Sequence, residues 1–150
     1  MSADTVIGSN VGLYPEAGAP HPVLLQDERR AVLVFTAITT DEQTVTAIAE
    51  FTGCLATRFG YPDDQALPGH PLYNHGLRYH DVMEVLHSSW MRQLEDQDAG
   101  AFPQPPDWEP RHFIITLHDA TFECLADEIT IHTTDDPRAT VLLQLVQEPS

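Results

Sequence analysis

Histidine is the residue type with the greatest chemical capacity in this chain, because eight are present and four of them lie between residues 59 and 90. Imidazole binds transition metals and exchanges protons near neutral pH, so clustered histidines suggest a metal site or an acid–base site. His70, His75 and His80 are five residues apart, which places successive side chains about 140° apart on a helix and on opposite faces of a strand. This spacing matches no local metal-binding motif, so a metal site would need ligands from distant segments.

The candidate metal ligands are His70 together with His118 and Glu123, which lie further along the chain. Histidine and carboxylate ligands would suit Zn, Fe or Mn. His80 with Glu84 could supply a further pair of ligands. Because the spacing gives the metal hypothesis no independent support, we predict that no cofactor is bound and that these histidines pack loops or face solvent.

Residues 60–76 are predicted to form a long loop, because three prolines and a glycine interrupt any continuous helix or strand. Loops of this length are uncommon in compact domains unless they are functional or disordered. Four apolar residues could anchor this loop to a core: Tyr61, Leu67, Leu72 and Tyr73. We therefore predict that residues 61–80 form a functional surface together with the tip of a separate hairpin, at residues 118–121. The predicted ligand-binding residues are Tyr61, His70, Tyr73, His75, His80, His118 and Glu123.

Three acidic residues, Asp119, Glu84 and Glu123, each allow a structural and a functional interpretation. His118 and Asp119 could act as an acid–base pair, but adjacent side chains seldom face each other. An aspartate at the start of a turn usually bonds its own backbone, so we predict a structural role for Asp119. Glu84 and Glu123 interrupt apolar strands, so each lies either on a solvent-facing side of its sheet or in a cleft, where burial would raise its pKa.

The chain carries a formal charge of −16 and contains no lysine. The P-loop nucleotide-binding proteins, the pyridoxal-phosphate enzymes and the protein kinases all require a lysine, so these three classes are excluded. An acidic surface repels phosphate backbones and anionic lipids, so nucleic-acid and membrane partners are not expected. The predicted partner is a small molecule or a protein.

The length of 150 residues predicts a single domain spanning 1–150, with a core that needs neither a metal nor a disulfide. The first ten residues lack the basic and apolar regions of a secretion signal, and no stretch approaches the roughly 18 apolar residues of a membrane span. We therefore predict a soluble cytoplasmic protein. Cys54 and Cys124 lie among apolar neighbours, which indicates two buried thiols rather than a disulfide.

Two segments fit either a helix or a strand. Residues 40–59 have near-helical apolar spacing, but their β-branched and aromatic content favours a strand with a bulge at Gly53. Residues 79–87 are also predicted to form a strand, followed by a short helix over 89–98. Ser88 is the predicted N-cap of that helix.

The clearest strand signal is the alternation of apolar and polar residues from 111 to 126, which predicts a hairpin whose residues 118 and 121 face each other. Beyond it the apolar phase changes, so a bulge is expected near Asp127. A hairpin is also predicted over residues 23–38, and a last strand over 140–146. The predicted fold is a mainly β antiparallel sandwich or barrel of six to eight strands with one short helix. The alternative is an α+β fold with helices at 40–59 and 79–97.

Three stretches resemble a signature of small uncharacterised bacterial proteins, and together they cover roughly residues 51 to 125. They are FGYPDDQALPGHPLY, EVLHSSW and HFIITLHDATFEC. The resemblance implies no activity.

We therefore hypothesise a β-rich domain that binds a small ligand or a protein partner through the 61–80 loop and the 118–121 hairpin tip. The alternative is a small metal-assisted or acid–base hydrolase or isomerase that uses His70, His118 and Glu123. A homo-oligomer joined through unpaired edge strands is a third hypothesis.

Overall fold

The computed structural model describes residues 3–101 and 109–147, which form two antiparallel β-sheets and two α-helices. The strands are β1 (Thr5–Gly8), β2 (Leu13–Pro15), β3 (Val23–Gln26), β4 (Arg30–Thr39), β5 (Thr44–Thr52), β6 (Ala56–Gly60), β7 (Val82–Leu86), β8 (Arg111–Thr116), β9 (Thr121–Ala126) and β10 (Glu128–Thr134). The helices are α1 (Ser89–Ala101) and α2 (Arg138–Gln147). Two short 3₁₀ turns, Leu67–Gly69 and Tyr73–His75, lie within the loop that precedes β7.

The two sheets pack face to face around one apolar core. The first sheet has the strand order β1-β7-β8-β9-β6, and the second has the order β10-β5-β4-β2, with β3 also paired to β4. The largest side chains of this core are four phenylalanines and four leucine or isoleucine residues. They are Phe35, Phe51, Phe113, Phe122, Leu13, Leu33, Ile115 and Leu117. Alternate residues of β4, β5, β8 and β9 face this core, as the period of a strand requires.

The prediction of a mainly β sandwich is confirmed, with details that differ. Residues 40–59 contain β5 and β6, and residues 79–87 contain β7, so the alternative with helices in these segments is wrong. The described residues form ten strands and two helices, where six to eight strands and one helix were predicted. The hairpin predicted over 23–38 is present as β3 and β4.

The bulges predicted at Gly53 and Asp127 are the points at which the chain passes from one sheet to the other. β5 pairs with β10 in the second sheet, whereas β6 pairs with β9 in the first. The two crossings are adjacent, since the Asp127 N–H donates to the carbonyl of Thr52 over 2.9 Å. Gly53 has a φ of +62°, and a Cβ placed there would lie 2.1 Å from Asp127 Oδ2. Only glycine fits this corner without displacement.

The predicted last strand over residues 140–146 is wrong, because this segment lies within α2. Val141, Leu142 and Leu145 occupy one side of the helix and pack on Val32 and Val34 of β4. The sequence pattern of apolar residues at i, i+1 and i+4 is helical, although valine and threonine also favour strands. Burial of the outer face of the second sheet decides in favour of the helix.

The register predicted for the 111–126 hairpin is wrong by two residues. Phe113 lies opposite Cys124 and Thr116 lies opposite Thr121, so the tip is the four-residue segment 117–120. A shift of two residues keeps every side chain on its predicted face, because side chains in a strand alternate with a period of two. His112 and Glu123 therefore still share the side of the sheet that faces away from the core.

The outer face of the first sheet is covered by the loop between β6 and β7. Three leucines of this loop are buried against apolar residues of the sheet. The leucines are Leu67, Leu72 and Leu77, and the sheet residues are Val6, Met83, Val85 and Ile114. Two of the four predicted anchors, Leu67 and Leu72, are therefore confirmed, and Tyr73 is partly buried on the same cluster. The prediction that Tyr61 anchors the loop is wrong, because Tyr61 is 86% exposed.

α1 begins at Ser89, as predicted, and the Met91 N–H donates to Ser88 Oγ over 3.1 Å, which confirms Ser88 as the N-cap. The helix continues to Ala101, so its predicted end at residue 98 is wrong. Residues 102–108, which include three prolines, lie outside the described residues. Neither α1 nor α2 is long and apolar enough to span a membrane.

We predict that Gly53→Ala lowers the free energy of unfolding by about 2 kcal/mol, because the new methyl group meets Asp127 and a left-handed φ is costly for alanine. Urea unfolding followed by circular dichroism would measure the change. Gly69→Ala is the matched control, since it has open space around its Cβ position. Equal stability of the two variants would contradict the proposed tight corner.

Candidate functional site

The 61–80 loop and the hairpin tip lie against each other. The Asp64 N–H donates to the carbonyl of His118 over 2.9 Å, and Thr121 Oγ1 donates to the carbonyl of Pro62 over 2.9 Å. Asp63 Oδ1 accepts the Ala66 N–H over 2.9 Å, which holds the loop in a turn just after Asp64. These bonds bring two segments more than 50 residues apart into one surface.

Asp64, His80 and His118 form a cluster at this junction, which we call the Asp64 cluster. His80 Nε2 is 3.0 Å from Asp64 Oδ2, and His118 Nδ1 is 2.8 Å from the same oxygen. One ligand atom from each residue lies within 4.8 Å of the other two. The three side chains are partly exposed, so a small ion or molecule could reach them from solvent.

The electrostatics of the Asp64 cluster follow from its hydrogen bonds. The His118 imidazole, followed by that of His80, holds the pKa of Asp64 below its usual range. Reciprocally, the hydrogen bond to Asp64 raises the pKa of His118. Asp119 has a minor part in this arrangement, because its Oδ1 is 3.7 Å from His118 Nε2 and its side chain is 88% exposed. His118 is therefore oriented by Asp64 rather than by its sequence neighbour.

Two tyrosines lie beside the Asp64 cluster. The Tyr79 ring is 6.1 Å from the His80 ring and 6.3 Å from the Tyr73 ring. A hydrogen bond with Tyr73 raises the pKa of the Tyr79 hydroxyl, and the charge of Asp64 adds to this effect. His80 itself has a φ of +49°, a conformation that is costly for a residue with a side chain. In this conformation the His80 side chain is directed at Asp64.

A second group of polar residues is buried under the loop, and we call it the Glu123 network. Glu123 Oε1 is 2.8 Å from His112 Nε2, and Glu123 Oε2 is 3.0 Å from His70 Nε2. His112 Nδ1 is 2.7 Å from Ser88 Oγ. The His70 and Glu123 side chains are 7% and 8% exposed, so the network is shielded from solvent.

The neighbours of the Glu123 network determine where its protons lie. The Leu72 N–H donates to His70 Nδ1 over 3.0 Å, so neutral His70 carries its proton on Nε2 and donates it to Glu123. The carboxylate of Glu123 can only accept, so His112 Nε2 also donates to it. Each carboxylate oxygen therefore has its own imidazole donor.

These two donors set the charge of Glu123. Burial acts to raise the pKa of this carboxyl, but the hydrogen bonds from His112 and His70 outweigh burial and lower the pKa to about 2. The expectation that a glutamate in a cleft would have a raised pKa is therefore wrong here, because Glu123 is paired. Glu84 is half-buried, and Arg111 binds it with two hydrogen bonds of 2.9 and 2.7 Å.

An aromatic and cationic wall borders the Glu123 network. The Trp90 ring is 5.2 Å from the His112 ring, and the Arg58 guanidinium lies 3.9 Å above the centre of the Trp90 ring. A cleft of about 270 Å³ opens between this wall and the loop, and both Glu123 and His70 line it. The network is thus buried but adjacent to a space of small-ligand size.

The predicted site residues are divided among these features. His80 and His118 belong to the Asp64 cluster, and Tyr73 lies near it. His70 and Glu123 belong to the buried network. His75 and Tyr61 are exposed and lie in neither group. The ligand-binding role of all seven residues stays a prediction.

Sequence reasoning missed Asp64 and His112 as functional candidates. Asp64 is one of 23 acidic residues, and its partner His118 is 54 positions away, so no local pattern marks it. His112 had a usable signal, because it lies on the same face of the predicted hairpin as Glu123. A histidine and a glutamate that interrupt one face of two apolar strands suggest a buried pair.

No protein-family model, no curated protein and no solved structure matches this chain. The resemblance to small bacterial proteins therefore stays a prediction.

We predict that Glu123 makes the stability of the protein depend on pH in the acid range. Its pKa is lowered from 4.5 to about 2 in the folded state, so its stabilisation is fully present above pH 4.5 and is lost as pH falls towards 2. The shift corresponds to about 3 kcal/mol. Urea unfolding at a series of pH values would show this loss as a slope in the wild-type protein.

The Glu123→Gln variant should be less stable by about 3 kcal/mol at pH 7 and should show a flatter pH dependence between 4.5 and 2. The amide places an N–H donor against one of the two imidazole donors. Glu28→Gln is the control, because Glu28 is exposed in the turn between β3 and β4. Parallel wild-type and Glu123→Gln curves would show that the carboxylate is not stabilising.

Proposed function

We propose that this protein binds a divalent transition-metal ion through Asp64, His80 and His118. The observation that supports this proposal is the convergence of two imidazole nitrogens on a single carboxylate oxygen, at 3.0 and 2.8 Å. The hypothesis that the 61–80 loop and the hairpin tip bind a ligand is thereby made specific, with a metal ion as the ligand. Zn, Fe and Mn are the candidate ions.

The distances within the Asp64 cluster suit such an ion. Bonds of about 2.0 to 2.2 Å in a tetrahedral site place neighbouring ligand atoms about 3.3 to 3.5 Å apart. The three ligand atoms already lie within 4.8 Å of one another. Small side-chain rotations would therefore be sufficient to bring them around one ion.

The types and number of ligands also support the proposal. Two histidines and one carboxylate are the protein ligands of many catalytic zinc sites and of non-haem iron sites, in which the remaining positions hold water or substrate. His118 has a 40% exposed side chain, so the open side of the cluster faces solvent. A metal held there would supply a Lewis acid and could bind a small ligand.

The charge of the protein favours a cation at this surface. The formal charge is −16, and Asp63 and Asp119 both contribute negative potential at His118. Such a surface raises the local concentration of cations and repels phosphate backbones. The proposal keeps three predictions made from the sequence, which are a small ligand, a cytoplasmic location and no nucleic-acid partner.

The ligand set differs from the one suggested by sequence. His118 is retained, while Asp64 and His80 replace His70 and Glu123. The latter two bond each other over 3.0 Å in the Glu123 network, where each carboxylate oxygen already has a donor. Recruiting them to a metal would break a buried network and leave donors unpaired.

We predict that the purified, untagged protein binds one equivalent of Zn²⁺ or Co²⁺, and that His80→Ala and Asp64→Asn each weaken binding at least about tenfold. Removing a ligand leaves the ion with two protein donors. Isothermal titration calorimetry would measure affinity, and the visible spectrum of the Co²⁺ form would report its coordination.

His75→Ala is the matched control, because His75 is an exposed histidine of the same loop outside the cluster. Its affinity for the metal should equal that of the wild type. Loss of binding in His75→Ala to the same degree, or the absence of stoichiometric binding in the wild type, would refute the proposed site.

A further inference from the structure

Ser88 lies between β7 and α1, where its hydroxyl is aligned with two other side chains of chemical interest. Ser88 Oγ is 2.7 Å from His112 Nδ1, and His112 Nε2 is 2.8 Å from Glu123 Oε1. A hydroxyl, an imidazole and a carboxylate joined in this order are the components of nucleophilic acyl transfer. All three residues are buried, at 6%, 4% and 6% exposure in that order.

The proton positions in this array suit a nucleophile and its base. His112 carries a proton on Nε2, because the carboxylate of Glu123 can only accept, so its Nδ1 presents a lone pair to Ser88. Ser88 Oγ accepts the Met91 N–H over 3.1 Å with one of its lone pairs and directs its own proton at His112. Its second lone pair remains for attack on an electrophile.

Ser88 and His112 both line a cleft of about 400 Å³, a volume typical of small-ligand sites. The apolar side chains of Val85, Leu86 and Met91 form part of its wall, and its charged residues are three glutamates and two arginines, Arg92 and Arg111. These charges nearly balance, and the apolar wall suits an uncharged substrate. This cleft is separate from the surface that carries the Asp64 cluster.

We propose that Ser88, His112 and Glu123 form a second functional site, which hydrolyses small uncharged carboxylic esters. Ser88 is the nucleophile and His112 is the general base. Glu123 is a positioning residue, because it fixes the tautomer and orientation of His112 without contacting substrate. His70 is also a positioning residue, because it donates to the other oxygen of Glu123 and holds the carboxylate in place.

The reaction consists of two balanced steps. In the first, Ser88 Oγ bonds to the acyl carbon, its proton passes to His112 Nδ1, and the ester C–O bond breaks as the departing alkoxide takes that proton and leaves as an alcohol. In the second, water attacks the acyl-serine, its proton passes to His112 Nδ1, and Ser88 regains that proton as the carboxylic acid leaves. The positive end of α1, which begins at the next residue, favours the negative charge that develops on the acyl oxygen.

A fluorophosphonate probe tests the proposal, because it reacts with an activated serine and forms a stable adduct. The full-length wild-type protein should take up one equivalent. The adduct should lie on Ser88, as determined by fragmentation of the tryptic peptide that spans residues 79–92 and contains both Ser88 and Ser89. An unlabelled, folded wild-type protein, or an adduct on Ser89, would overturn the proposal.

Three variants complete the experiment, each checked for folding by circular dichroism. Ser88→Ala should abolish labelling, and His112→Asn should slow it by about 100-fold, because asparagine cannot accept the proton. Ser89→Ala is the matched control and should label at the wild-type rate. Labelling of Ser88→Ala at the wild-type rate would show that another residue reacts.

The role of Glu123 is tested by the concentration dependence of labelling. Glu123→Gln, at a temperature where it is folded, should lower the maximal labelling rate at least about tenfold while the probe concentration giving half that rate stays unchanged. A purely structural role would change both quantities or neither.

Discussion

The buried carboxylate of Glu123 is the group on which the arrangement of the 61–80 loop over the first sheet depends. It is held by an imidazole from the loop, His70, and by an imidazole from β8, His112. Through Ser88, the same chain of hydrogen bonds reaches the first turn of α1. Three segments that are distant in sequence are therefore fastened to one point on the first sheet. A buried charge is costly unless it is fully paired, so this arrangement has little freedom to vary.

The bond between His70 and Glu123 also helps to fix the rest of the 61–80 loop. Residues 60–80 have no continuous helix or strand, so their position depends on side-chain contacts and not on a backbone ladder. Buried leucines supply apolar contact on the first sheet, and His70 supplies a directional bond. With the loop held in this way, Asp64 and His80 are presented to the hairpin tip in a defined geometry. Sites supported by locked neighbours are more precise than sites on unsupported loops.

Much of the fold could be predicted from the sequence, because alternation of apolar and polar residues reports which face of a strand is buried. That signal is unchanged by a shift of two residues, which is why the faces of the 111–126 hairpin were right and its register was wrong. It also fails where a segment is short and largely apolar, as in 140–146, since such a segment fits a helix packed on a sheet equally well.

The candidate sites were harder to predict, because the contacts that define them are tertiary. Asp64 meets His118 across 54 positions, and His70 meets Glu123 across 53. No spacing rule connects such residues, in contrast to metal motifs whose ligands share one helix or loop. What the sequence did show was a proline-rich loop with apolar anchors and several histidines, which is the segment that carries Asp64, His70 and His80.

The two carboxylates with paired histidines differ in a way that separates their chemistry. In the Glu123 network each oxygen has its own imidazole, so the donors point at different atoms and both oxygens are paired. In the Asp64 cluster both imidazoles donate to Oδ2, so loss of those two protons would leave two nitrogen lone pairs and a negative charge directed at one place. Separate partners stabilise a buried charge, whereas convergence on one point is what a metal ion requires. The number of oxygens engaged, together with exposure, is therefore the reason that we propose a metal site at the Asp64 cluster and a positioning role towards His112 and Ser88 for the Glu123 network.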